Sequence, residues 1–176
     1  MTGRTVVSNS GPLMALAKLN QLSLLRKLFH QVSIPQAVYE ETVMRGMAQG
    51  YPDASSIKLF FDQQGWQAVY VDHRGINKDL LKEKLDWGEI ESIQLAMNTK
   101  NALLLIDDGE AREVARKLGI LTKGTIGILV EAFEKDLIDL DEIEFLFAQI
   151  QAKDDIWISP GLCKEVLSEL KAKELD

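Results

Sequence analysis

The stretch that decides the fold is Ala102-Leu103-Leu104-Leu105-Ile106-Asp107-Asp108-Gly109. The run from Ala102 to Ile106 is apolar without alternation, so a strand built from it must be covered on both faces. That is the mark of a central strand in a parallel sheet. Asp-Gly immediately afterwards favours a turn and a helix N-cap. A helix from Glu110 to Leu118 follows.

The same rhythm extends in both directions. Upstream, Thr5-Val6-Val7-Ser8 reads as a first strand. It ends at Asn9-Ser10-Gly11-Pro12, where Ser10 can cap a helix carrying Leu13, Leu16 and Ala17 on one face. A short helix over Leu22 to Phe29 precedes a strand at Val32-Ser33-Ile34, and Pro35 opens a longer helix through about Ala48. Ala54 to Gln64 reads as a helix stopped by Gly65, and Trp66 to Val71 as an alternating strand. Asp72 to Lys84 is a polar loop with a short helix, and Gly88 to Asn98 is amphipathic. Downstream, Ile120-Leu121-Thr122 is a short strand, and Gly124-Thr125 starts another helix. Asp139 to Ala152 and Pro160 to Lys173 are helical, Trp157-Ile158 is expected as a late edge strand, and the charged tail from Lys171 to Asp176 is expected to fray. Strands alternating with helices predict an α/β protein, a three-layer α/β/α sandwich with a mostly parallel central sheet.

A chain of 176 residues is most economically one domain, residues 1–176. With 46% hydrophobic and 27% charged residues it has the composition of an ordinary soluble protein. No apolar run reaches the ~20 residues of a membrane span. The single Cys163 excludes an intrachain disulfide and a cysteine-rich zinc site. No secretory h-region follows Met1, so a cytoplasmic location is expected. The net charge of −7 argues against broad electrostatic attraction to nucleic acid, although it leaves room for a local basic rim. His30 and His73 are too few for a histidine-based metal site and are expected at the surface.

In open α/β sheets, sites form at the carboxyl ends of the parallel strands. Asn9 and the pair Asp107-Asp108 sit there. Two helical acids add to them. At ~100° per residue, Glu41 falls near the centre of the stripe Ala37, Val38, Met44 and Ala48, while Glu40 lies about 100° away toward solvent. In the helix from Gly88, Glu89 lies about 60° from the centre of the stripe Ile90, Ile93 and Met97, and Glu91 about 140° from it on the solvated side. Each acid has a plain structural explanation: a cap for Asp108, an ion pair with Arg45 for Glu41, the helix dipole for Glu89. Gathered together, though, these carboxylates would repel one another unless a cation joined them. Clustered oxygen ligands suit Mg²⁺ or Mn²⁺, and those ions suit phosphoryl transfer. Thr125 and Ser10 are either helix caps or hydroxyls facing the site. Arg112 and Arg116 are either a phosphate-facing rim or part of a solvated face with Glu110 and Glu113.

Five blocks in order resemble the PIN-domain family, in particular a bacterial PIN-like subgroup related to toxin ribonucleases of the VapC type. They are Val6-Val7-Ser8-Asn9-Ser10-Gly11-Pro12-Leu13, Ile34-Pro35-Gln36-Ala37-Val38-Tyr39-Glu40-Glu41, Gly88-Glu89-Ile90-Glu91-Ser92-Ile93, Leu104-Leu105-Ile106-Asp107-Asp108 with Ala111-Arg112, and Gly124-Thr125-Ile126-Gly127-Ile128-Leu129. The resemblance covers residues 4–135, with 136–176 as a helical extension. It implies a PIN-like sandwich, Mg²⁺- or Mn²⁺-dependent hydrolysis of RNA phosphodiesters, and a metal set of Asn9, Glu41, Glu89 and Asp107 or Asp108. Asp108 is the preferred ligand, with Asp107 assisting. It also implies a homodimer, a small antitoxin as partner and no membrane association. Asn9 departs from the pattern, which has aspartate there. An amide oxygen can ligate a hard cation but brings no charge. The alternative is therefore a weakened or inactive PIN-like module that binds nucleic acid or protein. A phosphoacceptor receiver reading, from Asp107-Asp108, Thr125 and Lys123, fails on order: receivers carry their acid pair after the first strand.

Overall fold

A computed structural model describes residues 4–174. These residues group into two compact units, one running to Thr125 and one from Ile126 onward. The first contains a five-stranded, all-parallel sheet in the order β3-β2-β1-β4-β5. The strands are β1 (Val6–Ser8), β2 (Val32–Pro35), β3 (Ala68–Val69), β4 (Leu103–Leu105) and β5 (Leu121–Lys123). β1 and β4 are buried along their whole length, as unbroken apolar runs require at the centre of a parallel sheet.

The helices of this unit are α1 (Ser10–Lys18), α2 (Ser23–Phe29), α3 (36–48), α4 (Pro52–Gln64), α5 (Trp87–Met97) and α6 (Gly109–Lys117). From β1 the chain steps through β2 to β3 in one direction; from β4 it steps to β5 in the other. Right-handed crossovers therefore place the connecting helices on opposite faces of the sheet, which gives three layers. One face is filled by Val7, Leu104 and Ile106 of the central strands with Ile90 and Ile93 of α5 and Ala111 and Ala115 of α6. Leu13, Leu16, Leu24 and Leu25 of α1 and α2 are buried as well. β1 lies between β2 and β4, so the order of the sheet reverses beside it, and the crevice opens at the carboxyl ends of β1 and β4.

The second unit holds α7 (Thr125–Glu134) from Ile126 onward, its first residue Thr125 belonging to the first unit, with α8 (Leu140–Ala152) and α9 (Pro160–Glu174). Asp139 caps α8 by accepting from Glu142 N at 2.8 Å. Lys171 of α9 donates to Glu144 of α8 at 2.8 Å.

Several local expectations change. Trp66 to Val71 shrinks to the two residues of β3, which pair with β2 alone at the sheet edge. Trp157-Ile158 joins no ladder among the described residues, and Trp157 is almost fully exposed. α9 continues through Glu174, so the tail expected to fray from Lys171 is helical there, and Leu175 and Asp176 lie outside the described residues. In α3, Met44 and Ala48 were expected inside and are exposed. The cause is the segment Glu40–Arg45, a π-helix. Its hydrogen bonds reach five residues instead of four, so each turn holds more chain and every later side chain is rotated off the ideal stripe. Val38, Thr42, Val43 and Gly46 form the buried line instead. Thr42 Oγ1 also donates to Val38 O at 2.8 Å inside this widened turn.

Candidate active site

The site grows from the ends of β1 and β4. Asn9 is buried just past β1, and its backbone N–H bonds Leu105 O at 2.9 Å, which ties it to the end of β4. Its amide nitrogen donates to Ser92 Oγ of α5 over a long 3.4 Å. Ser10, the first residue of α1, donates its hydroxyl to Glu41 Oε2 at 2.6 Å. Ser10, and not Arg45, is therefore the hydrogen-bond partner of Glu41. Glu40, expected to see more solvent, is half-buried like Glu41 and accepts from Gln36 Nε2 at 3.2 Å.

Glu41 reaches from the π-helical segment to the N-terminus of α5. A Cβ placed on Gly88 would lie 3.3 Å from Glu41 Oε2 and 3.3 Å from Asp86 Oδ1, so a residue without a side chain keeps this approach open. The start of α5 is a reciprocal capping box. Asp86 Oδ1 accepts from Glu89 N at 2.8 Å, and Glu89 Oε2 accepts from Asp86 N at 2.9 Å. The Asp-x-x-Glu spacing of residues 86–89 is the sequence signature of that cap.

Glu89 is the electrostatic centre of the group. Its carboxyl is pushed up from an ordinary 4.5 to about 7, first by burial and then by the negative charges of Asp86, Asp108 and Glu41; the hydrogen bond from Asp86 N opposes the rise. Glu41, Glu89 and Asp108 thus share one neighbourhood despite lying on three different elements. Asp108 is exposed and caps α6, with Oδ1 accepting from Ala111 N at 2.8 Å.

Asp107 is used differently. Its oxygens accept from Thr125 N at 2.7 Å and Thr125 Oγ1 at 2.6 Å. Burial pushes its carboxyl up, against the lowering influence of Thr125 and of the Arg112 guanidinium. The backbone closes around it. A Cβ on Gly11 would stand 3.2 Å from Asp107 Cβ, and one on Gly124 would stand 2.8 Å from Asp107 Oδ1 and 2.7 Å from Arg112 Nη2. Arg112 turns inward, donating Nη2 to Ile106 O at 3.0 Å and Asp107 O at 3.1 Å. Its Nε is buried without a partner among the described residues. Arg116 donates to Thr122 Oγ1 at 3.1 Å on the exposed side of α6. The structure therefore pairs Ser10 with Glu41, sets Asn9 beside Ser92 of α5, and brings Glu89 within electrostatic reach of Glu41 and Asp108. It places Thr125 on Asp107, Arg112 on the backbone of the β4–α6 corner, and Arg116 beside β5.

Among the described residues no three His, Cys, Asp or Glu side chains converge into a ready-made metal cage. The donor chemistry nevertheless fits a hard divalent cation. Glu41, Glu89 and Asp108 each commit one oxygen to the hydrogen bonds above and keep the other. The amide of Asn9 adds a neutral oxygen ligand. Burial is the largest cause of the raised Glu89 carboxyl, and the like charges of Asp86, Asp108 and Glu41 add a repulsion that a cation would relieve.

One acidic residue was placed wrongly by helical arithmetic. Glu91, expected on the solvated side of α5, is buried at 4% exposure. Its Oε2 accepts from Ala37 N at 2.9 Å, satisfying one of the free donors at the start of α3. Its Oε1 lies 2.6 Å from His73 Nε2, and the His73 ring stacks on Trp87 at 4.7 Å and 7°. The apolar stripe Ile90 and Ile93 correctly marks the side of α5 that faces the sheet, but α3 covers a second side that the stripe does not reveal.

A family model described as a PIN domain matches residues 5–172. No curated protein matches the chain.

Proposed function

The chain belongs to the PIN-domain family, a family of nuclease modules, and from that premise we propose that it is a Mg²⁺- or Mn²⁺-dependent endoribonuclease, the toxin component of a toxin–antitoxin pair. The observation that supports the catalytic reading is the Glu89 carboxyl, pushed up to about 7 by burial first and then by the negative charges of Asp86, Asp108 and Glu41. The toxin role, a small antitoxin and a homodimer rest on the resemblance to VapC-type ribonucleases.

In this reading the second oxygens of Glu41, Glu89 and Asp108, with the amide oxygen of Asn9, would hold the ion. Bound there, the ion supplies Lewis-acid polarisation of a phosphate and activation of water as a nucleophile. Ser10 positions Glu41 through its 2.6 Å hydrogen bond. Asp86 fixes Glu89 Oε2, which leaves Oε1 as the atom that gains or loses a proton near neutral pH. Asp107, Thr125 and Arg112 hold the β4–α6 corner so that Asp108 stays at the rim.

Asn9 supports a second reading, a module with weakened or lost chemistry, because a neutral ligand at that place lowers the affinity for a divalent ion. Mn²⁺ titration calorimetry paired with cleavage of a single-stranded oligoribonucleotide separates the two. If the wild type binds the ion and cuts RNA, and Glu41→Gln removes both, the ribonuclease stands. If the wild type does neither and Asn9→Asp gains the ion, the chain is a binding module with a disarmed site.

A further inference from the structure

A concavity is lined in part by α3 and α5, the two helices that carry Glu41 and Glu89. Its volume is about 470 Å³, and Gln36, Glu40, Arg45, Tyr70, His73 and Trp87 line it. That is large enough for a small organic ring system. Glu40 directly precedes Glu41, and Trp87 stands two residues before Glu89, so the cavity lining and the carboxylates share both helices. In the π-helical segment the five-residue hydrogen-bond step sets Arg45 one turn beyond Glu40, and both reach the cavity wall.

The lining is a stacking platform. Trp87 and Tyr70 are exposed, at 52% and 76%, and unlike Tyr51, Phe145 and Trp157, which are exposed elsewhere, they line one cavity together. The plane of Trp87 is set by the stacked His73 ring, and His73 is set by Glu91, which is itself held on Ala37 N. A ring fixed in this way gives up little freedom when a second ring stacks beside it. Next to the rings, Gln36 and Glu40 offer an amide and a carboxylate 3.2 Å apart, and Arg45 offers an exposed guanidinium. Glu40 and Glu91 make the cavity unfavourable for a phosphate, but a carboxylate beside an aromatic face suits a ring that bears N–H donors.

We propose that this cavity is a nucleobase subsite, receiving one unpaired base of a single-stranded RNA whose phosphate lies at the neighbouring carboxylates. The inference rests on the ribonuclease reading for the polymer and on the cavity itself for the base. Single-stranded RNA is read by splaying bases onto aromatic and arginine planes, with hydrogen bonds to their edges.

The test uses uncharged probes, adenosine, guanosine, cytidine and uridine, followed by ligand-observed NMR on the full chain without metal. A nucleoside carries no phosphate and so does not need the carboxylates. Wild type is expected to give saturation transfer to base protons. Tyr70→Ala is expected to weaken that contact at least roughly fivefold, the lower end of what one stacked base is worth. Tyr70 is exposed enough for its replacement to leave the core intact, and a thermal melt checks this. Trp87→Leu is the second variant. No transfer to any nucleoside, or undiminished transfer in both variants, overturns the subsite. Cleavage of a single-stranded oligoribonucleotide with Mn²⁺ is read in parallel. Cleavage without nucleoside contact removes the subsite and leaves the nuclease; nucleoside contact without cleavage removes the nuclease and leaves base binding in place.

Discussion

Replacing Glu89 with glutamine should stabilise the metal-free protein at alkaline pH and do almost nothing at acid pH. The folded carboxyl sits at about 7, whereas its ordinary value is 4.5. Between these values the folded protein keeps a proton that the unfolded chain has lost. Stability therefore falls as pH rises through this window, and the loss is complete above about 7. Taken at face value the difference is worth about 3 kcal/mol. Glu89 is only half-buried, so water screens much of this, and about 1–2 kcal/mol is the expected effect. Glutamine removes the charge and keeps the fold-relevant bond, because its amide oxygen can still accept from Asp86 N in the capping box. At roughly 2–4 °C per kcal/mol for a chain of this length, Glu89→Gln should melt about 2–8 °C above wild type at pH 8.5. The gap should close to about 1 °C or less near pH 4.5, where the folded and unfolded wild type both hold the proton to a large extent. Mn²⁺ should then raise the wild-type melting temperature at pH 8.5 more than that of the variant. Melting temperatures that track each other across the whole pH range would refute the buried, negatively charged surroundings assigned to Glu89.

Four further outcomes follow from the same geometry. Thr125→Val deletes the hydroxyl on Asp107 Oδ2 and leaves a buried carboxylate short of a donor, at a cost of about 1–3 kcal/mol in denaturant melts. Gly124→Ala drives a methyl to 2.8 Å from Asp107 Oδ1 and 2.7 Å from Arg112 Nη2, so it should destabilise by about 1–3 kcal/mol, the range for overpacking, where a surface Gly→Ala would be neutral. Glu91→Leu leaves Ala37 N without its acceptor and frees His73, which should cost about 1–3 kcal/mol and change the near-ultraviolet signal of Trp87. Asn9→Asp adds a charge at the end of β1 and should tighten Mn²⁺ binding by calorimetry roughly tenfold or more, the equivalent of about 1.4 kcal/mol; unchanged binding would place Asn9 outside the ligand set.

The central architecture was readable from local chemistry. The unbroken run Ala102 to Ile106 could only be covered on both faces, and it forms β4, an interior strand between β1 and β5. Asp108 follows it as a helix cap, and Gly65 ends α4 in the left-handed conformation at φ +67. What failed did so where a local pattern was read as if one neighbour acted alone. Met44 and Ala48 follow ideal helical arithmetic only if the helix is regular, and the π-helical turn at Glu40–Arg45 breaks that assumption. Glu91 looks solvated on a wheel that knows the sheet but not α3. Trp66 to Val71 alternates well enough for a full strand, yet an edge position with one pairing partner supports only Ala68–Val69.

The sequence by itself determined the alternation of strands and helices, the covered centre of the sheet and the acid types offered at strand ends, because apolar patterning and capping act over a few residues. It could not determine which acids meet. Glu41, Glu89 and Asp108 are separated by 48 and 19 positions along the chain, and only the crossovers that set the order β3-β2-β1-β4-β5 bring Glu41 and Asp108 within electrostatic reach of Glu89. The tertiary structure also divided the adjacent pair at Asp107 and Asp108. One carboxylate turns in to Thr125 and the other caps α6 at the rim, a distinction made by what packs beside each residue and invisible in two identical letters.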